Sequence, residues 1–436
     1  MTDKISKISA RQVLDSRGNP TIYAIVNTSE GNTGFSCVPS GASTGSKEAL
    51  EMRDNDPKKF NGKGVLKAIE NINNKIFPSV SGMEINDINS IDLKVIELDG
   101  TEFKSNLGAN AILAVSMACT RAAAASSEME LFEFIRKLYD SKNTDFKLPN
   151  PMFNVLNGGS HAFNSTDFQE YMIVPTGIDN FEDSISAGFQ IYNKLKNILE
   201  NKNLPTTLGD EGGFAPPGLS NEDPLKLLSK AVSETGLSLG RDIKFALDVA
   251  ASEFFNESSS KYELKSESKN VSSIELTEIY KKLVSDYPIY SIEDGLSEDD
   301  WEGWKKLTAT IGKNIQLVGD DLYVTQKKFL TKGINERAGN SILIKLNQVG
   351  TVTETIENIK LAQNNNFETI ISHRSGETED TFIADLAVGT DSTQIKTGAP
   401  ARGERVNKYN RLMLISDVIK EKFNLKAKNN LVGKYK

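Results

Sequence analysis

An α/β fold in two unequal parts is what the sequence predicts: an N-terminal α+β part, a three-stranded antiparallel meander followed by helices, and a C-terminal barrel in which strands and helices alternate. Two observations carry this. The first forty residues alternate apolar and polar positions between turn clusters, and the pattern then becomes helical. From residue 243 onward, short apolar runs recur, each closed by one charged or titratable residue. Successive βα units of a barrel give that spacing.

The meander is read at residues 5–14, 21–27 and 35–38, with turns at 15–20 and 29–34 rich in Asp, Gly, Asn and Pro. Residues 47–139 have apolar positions three and four apart. The clearest helix there is 110–125, Ala-rich, with Asn110 expected as its cap. Residues 142–151, polar with two prolines, are expected to be a linker, which divides the chain into 1–141 and 142–436.

Six runs in the second part end in turn at Asp248, Glu293, Asp320, Lys345, His373 and Lys396, at intervals of 45, 27, 25, 28 and 23 residues. Helices fill the gaps. Capping-box patterns at 297–300, before Trp301 and Trp304, and at 351–354, before Ile356 and Ile359, mark two of their starts. The longest interval contains the serine-rich stretch 257–273, expected to be a surface excursion.

At 436 residues the chain suits two domains, and its 38% hydrophobic and 25% charged content is that of a globular protein. A net charge of −8 argues against a general nucleic-acid or membrane-surface binder. Residues 1–10 lack the apolar core of a secretion signal, and no run is long enough to span a membrane. Cys37 and Cys119 make neither a disulfide framework nor a zinc site, so a cytoplasmic location is the expectation.

One carboxylate after a strand is usually a helix cap or a turn residue. Six polar ends gathered onto one barrel face are another matter. Asp248, Glu293 and Asp320 would repel one another without a cation among them, and all-oxygen ligands suit magnesium. Lys345 and Lys396 are then ion-pair partners or working groups, and a lysine near a divalent cation and a second lysine has its pKa lowered toward that of a base. His373, Arg374 and Ser375 together suit a phosphorylated or carboxylated small molecule. The glycine-flanked turn 208–217 presents Asp210 and Glu211. The loop 157–162 holds His161, with Gln169 and Glu170 shortly after. Residues 38–45, small and glycine-rich, lack the order of a P-loop and read as a lid that includes Ser40.

Taken together, these segments resemble the enolase family. The resemblance rests on residues 10–21, the Ser40 loop, 108–111, the His161 loop, 209–217, 246–248, 291–301, 320–322, 345–348, 373–380 and 396–398. Departures are conservative, at Met52, Tyr171 and Val349. The resemblance implies a barrel of ββαα(βα)6 order and reversible dehydration of 2-phospho-D-glycerate to phosphoenolpyruvate. It implies Lys345 as the base at C2 and Glu211 as the acid at C3, with Glu170 close by. It implies that His161, Gln169, Glu170, His373, Arg374, Ser375 and Lys396 line the substrate site. Asp248, Glu293 and Asp320 would hold a first Mg2+, and Ser40 a second that arrives with substrate. A homodimer or octamer is implied, as is plasminogen binding by the lysine tail at 433–436, a role that would put some of the protein at the cell surface. Another superfamily member, a racemase or sugar-acid dehydratase, is disfavoured by His161, Glu211 and the Arg374-Ser375 pair.

Overall fold

The computed structural model describes residues 2–41, 47–141, 143, 145–162, 164–425 and 428–430. Most of the expected lid, residues 42–45, and the lysine tail lie outside them.

The N-terminal sheet is the expected meander: β1 (Ile5–Leu14), β2 (Pro20–Thr28) and β3 (Thr33–Cys37), antiparallel in that order. Its first turn closes because the Asp15 carboxylate accepts from the backbone N–H groups of Arg17 and Asn19, at 2.9 and 2.8 Å. A helical stretch at 66–80 follows, and then three helices: α1 (Ile88–Asp99), capped by the Asp87 side chain, α2 (Ala109–Ser126) and α3 (Leu131–Leu138). The alanines of α2 let its backbone lie directly on the sheet. A Cβ at Gly34 of β3 would sit 2.1 Å from the Ala118 carbonyl oxygen, so only glycine fits. Asn110 is not the cap of α2. That position is Gly108, and the Asn110 amide instead bonds both the N–H and the carbonyl of Met52, each at 3.1 Å, which pins the preceding segment.

The barrel opens with β4 (Asn150–Asn157) and β5 (Glu170–Val174), then α4 (Phe181–Asn201) and α5 (Asp223–Ser233). Six βα units complete it. They are β6 (Lys244–Asp248) with α6 (Ser273–Asp286), β7 (Ile289–Glu293) with α7 (Trp301–Ile311), and β8 (Gln316–Gly319) with α8 (Lys327–Glu336). The last three are β9 (Ser341–Ile344) with α9 (Val352–Asn364), β10 (Glu368–Ser372) with α10 (Phe382–Gly389), and β11 (Gln394–Lys396) with α11 (Gly403–Phe423). The order is ββαα(βα)6, and the sheet closes on itself. β5 runs antiparallel to both neighbours, β4 and β6, while the other pairings are parallel. Met152, Met172, Val174, Ala246, Val318, Leu343 and Ile370 form a compact apolar cluster of their own, contributed by the strands.

Three further local expectations differ from the structure. α7 is capped by Asp300, whose carboxylate accepts from the Gly303 N–H at 2.9 Å, and not by Ser297. Thr351 does cap α9. The stretch after β6 is no simple surface excursion: 255–256, 261–264 and 269–271 form a small antiparallel sheet that buries Tyr262, Leu264 and Val271. The expected linker is also shorter, since 147–148 pairs with 428–429 and β4 has begun by Asn150.

Ion pairs join the two parts. Arg121 binds Asp380 in bidentate fashion at 2.6 and 2.8 Å, Arg136 binds Asp391 at 2.6 and 2.7 Å, and Lys104 reaches Glu354 at 3.0 Å. Asp92 of α1 accepts from the Thr353 N–H at 3.0 Å, so α1 helps cap α9 from outside the barrel. Burial pushes the Asp92 carboxyl up to about 6. A raised carboxyl pKa favours the fold fully below the unfolded value near 4, and that contribution is lost as pH rises through about 6. Asp92→Asn is therefore expected to flatten the pH dependence of stability between about 4 and 6, and to raise stability at pH 7 by up to roughly 3 kcal/mol. Urea unfolding at a series of pH values checks this. An unchanged pH profile would show that Asp92 ionises normally.

Candidate active site

The barrel geometry explains why residues far apart in sequence meet. Parallel strands deliver their last residues to one face, and Asp248, Glu293, Asp320, Lys345, His373 and Lys396 stand at or just after those ends. β5, running the other way, delivers its first residue to the same face. Glu170 is accordingly in register with Asp248 on one side and Asn157 on the other.

A single polar cleft at this face is lined by His161, Gln169, Glu170, Glu211, Asp248, Asp320, Lys345, His373, Arg374, Ser375 and Lys396 among the expected residues. Glu253, Asp294 and Asp321, which sequence reasoning missed, also line it. Glu293 lies just behind the lining, bound to Lys396. Ser40 is not in the lining. It pairs with Gly376 through both backbone groups, at 2.8 and 2.9 Å, and its hydroxyl donates to Asp15 at 3.1 Å. The hydroxyl and the carbonyl oxygen that Ser40 could offer a second cation are thus both engaged.

Charges are placed in pairs. The Lys396 ammonium donates to Asp248 at 2.8 Å and to both oxygens of Glu293 at 3.0 Å, and lies 3.2 Å from Glu170. Burial alone would lower its pKa, but these three carboxylates hold it well above the usual lysine range. Lys345 binds Asp320. There too burial opposes the charge and Asp320 outweighs it, so in this arrangement the Lys345 pKa is raised, the reverse of what the sequence suggested. Gln348 donates to the other Asp320 oxygen at 2.9 Å. Arg374 forks onto Glu48 at 2.9 and 3.1 Å and reaches Asn347 at 2.9 Å.

Glu211 sits on a rigid turn. Tyr192 donates to the Gly212 carbonyl at 2.7 Å, and Asn154 donates to the Glu211 carboxylate at 2.9 Å. His373 Nε2 lies 3.3 Å from the same carboxylate. Burial lowers the His373 pKa to about 4, so its ring is neutral at pH 7. Glu170 and Glu211 are fully buried near His161, with ligand atoms of all three within 4.8 Å of one another. Burial and then the Glu211 charge push the Glu170 carboxyl well above the usual range. Glu211 is also buried, yet its cationic and ring neighbours, His373 first, hold it low. The surroundings of Glu170 thus favour its neutral form, and those of Glu211 its charged form.

The acidic surplus bears on cation binding. The cleft has seven lining carboxylates (Glu170, Glu211, Asp248, Glu253, Asp294, Asp320, Asp321) against three permanent cation side chains (Lys345, Arg374, Lys396). Asp321 is pushed up to about 8 by burial and then by Asp320. The donors are all oxygen, buried and anionic, which fits a hard divalent cation. Among the described residues, the tight clusters able to hold one are Asp294, Asp320 and Asp321, and His161, Glu170 and Glu211. The expected trio of Asp248, Glu293 and Asp320 does not close up as tightly, because Lys396 bridges the first two. Asp294 was hidden by its position beside Glu293. Its carboxylate accepts from the backbone N–H groups of Asp320 and Asp321, at 3.0 and 2.8 Å, a contact no local pattern signals.

A closed barrel with an antiparallel second strand, with lysines, carboxyls and a histidine-arginine-serine run on one face, defines a barrel protein with an acid–base site at its strand ends. Comparison with known families makes this specific. The family model described as "Enolase, C-terminal TIM barrel domain" matches residues 145–432, and "Enolase, N-terminal domain" matches residues 5–135. The chain belongs to the enolase family.

Proposed function

We propose that this protein catalyses the reversible dehydration of 2-phospho-D-glycerate to phosphoenolpyruvate and water. The observation that carries the reading is that one buried cleft holds a lysine, a pair of buried glutamates, an arginine-serine corner suited to an anion and an acidic cluster suited to a cation. Lys345 takes the C2 proton, and the electron pair moves into the substrate carboxylate. Expulsion of the C3 hydroxyl then needs a proton, which Glu211 delivers with Glu170 as its partner. Arg374 and Ser375 suit the phosphate, and His161, Gln169, His373 and Lys396 complete the walls. General-base catalysis contributes about 3–5 kcal/mol of the roughly 8–23 kcal/mol an enzyme supplies. Mg2+ held by Asp248, Glu293 and Asp320, with a second ion at Ser40 and the substrate, would offset the second negative charge on the substrate carboxylate. With Asp320 so engaged, Lys345 loses its counter-charge and its pKa falls toward that of a base.

The assay is the ultraviolet absorbance of the enol phosphate formed from 2-phosphoglycerate. Activity is expected to vanish on chelation and return with magnesium. Asp320→Asn is expected to weaken metal affinity by about tenfold or more while leaving the fold intact, since a residue at a strand end supports the site more than the core. Calorimetric titration with magnesium reads this directly. Unchanged affinity would reduce Asp320 to a turn residue.

A division at residues 141 and 142 and a homo-oligomeric assembly belong to the same proposal. Exposed Leu14 and Phe35 beside an acidic groove support self-association. Plasminogen binding by the lysine tail is a further proposal, on residues the structure does not describe. Among the described residues, no helix is long and apolar enough to cross a membrane.

A further inference from the structure

Arg405, in the first turn of α11, is fully buried and is not one of the strand-end residues. Its guanidinium touches two segments at once. Nη1 contacts His373 Nδ1 at 2.8 Å and donates to the Arg374 carbonyl at 2.6 Å. Nη2 donates to the carbonyls of Asp210 and Ser375, at 3.0 and 2.7 Å. Three of its four contacts are neutral backbone oxygens, and the nearest carboxylate, Glu404, is 3.6 Å from Nε. Burying a charge against such partners is expensive, and a neutral amide would tie the loops at lower cost. What a guanidinium adds is five coplanar N–H donors and no acceptor.

That chemistry has a consequence for His373. A group that can only donate makes Nδ1 the lone-pair nitrogen, so the neutral ring carries its proton on Nε2. Nε2 is the atom 3.3 Å from Glu211. With the other tautomer, the Nε2 lone pair would face the Glu211 carboxylate with no proton between them.

We propose that Arg405 is a positioning residue that fixes the His373 tautomer toward Glu211 and locks the Glu211 turn to the 373–375 segment. This rests on the proposed reaction in taking Glu211 as the acid, but the tautomer can be measured without substrate.

The chain has two histidines, so 15N-histidine labelling gives two imidazole spin systems, and His161→Gln identifies the one from His373. In the wild type at pH 7, His373 is expected to show a protonated Nε2 and an unprotonated Nδ1. In Arg405→Met and Arg405→Gln, the Nδ1–H form is expected to appear, and kcat to fall by at least about 10²-fold with KM within about threefold. The glutamine amide can still donate to the carbonyls but also offers an acceptor, so it separates tying the loops from setting the tautomer. A wild-type ring protonated on Nδ1, or variants that keep the wild-type tautomer, would overturn the proposal. If Arg405→Met does not fold by circular dichroism, the wild type and Arg405→Gln decide. Absence of turnover in the wild type, with the expected tautomer present, would instead count against the reaction.

Discussion

Lys345→Ala is expected to lower kcat by at least about 10³-fold and to stop exchange of the C2 proton with solvent. The residue stands just past β9 and lines the cleft beside Asp320. It is the one lysine there whose ammonium is tied to a single carboxylate, whereas Lys396 is held by three. A lysine with one counter-charge can be freed of its proton more easily than one with three, so Lys345 rather than Lys396 suits the base. The variant leaves Asp320 with its hydrogen bond from Gln348, so the metal site is expected to survive. Turnover and exchange of deuterium at C2 are read on the same sample. If exchange persists while turnover stops, another group removes the proton.

Much of this site was legible in the sequence, for a definite reason. Barrel strands end at regular intervals, and the residue after each end points to chemistry whatever its partners are. Asp248, Glu293, Asp320, Lys345, His373 and Lys396 could be found that way. Residues that act through tertiary contacts could not. Glu48 meets Arg374 across 326 positions, and Arg405 meets His373 across 32. β4 gave no alternation because it is buried along its whole length, so the antiparallel start of the barrel came only from family resemblance. Asn110 and Ser297 had the chemistry of caps, but a Gly108 start and a nearer Asp300 took those positions. Ser40 was placed in the right neighbourhood, but its pairing with Gly376 depends on how the two parts of the chain dock.

Glu211→Gln is expected to abolish dehydration, by at least about 10³-fold in kcat, while exchange at C2 falls by no more than about tenfold. Glutamine keeps the shape and can still accept from Asn154, which now donates to the carboxylate at 2.9 Å. It cannot pass a proton to a departing hydroxide. The first step, at Lys345, requires no proton from Glu211, so the carbanionic intermediate should still form and return. The environment sharpens the expectation. The surroundings of Glu211 favour its charged form and those of Glu170 the neutral form, so the proton that Glu211 delivers comes to it from Glu170. The acid is therefore a pair, and Glu211 is the member that His373 and Asn154 hold in place. Removing the Glu211 charge also removes a main cause of the raised Glu170 carboxyl, so that proton is lost at lower pH in the variant. Glu170 then becomes a poorer donor at pH 7 and does not rescue the reaction. Equal loss of exchange and dehydration would mean that Glu211 acts already at C2, and the division of labour with Lys345 would have to be abandoned.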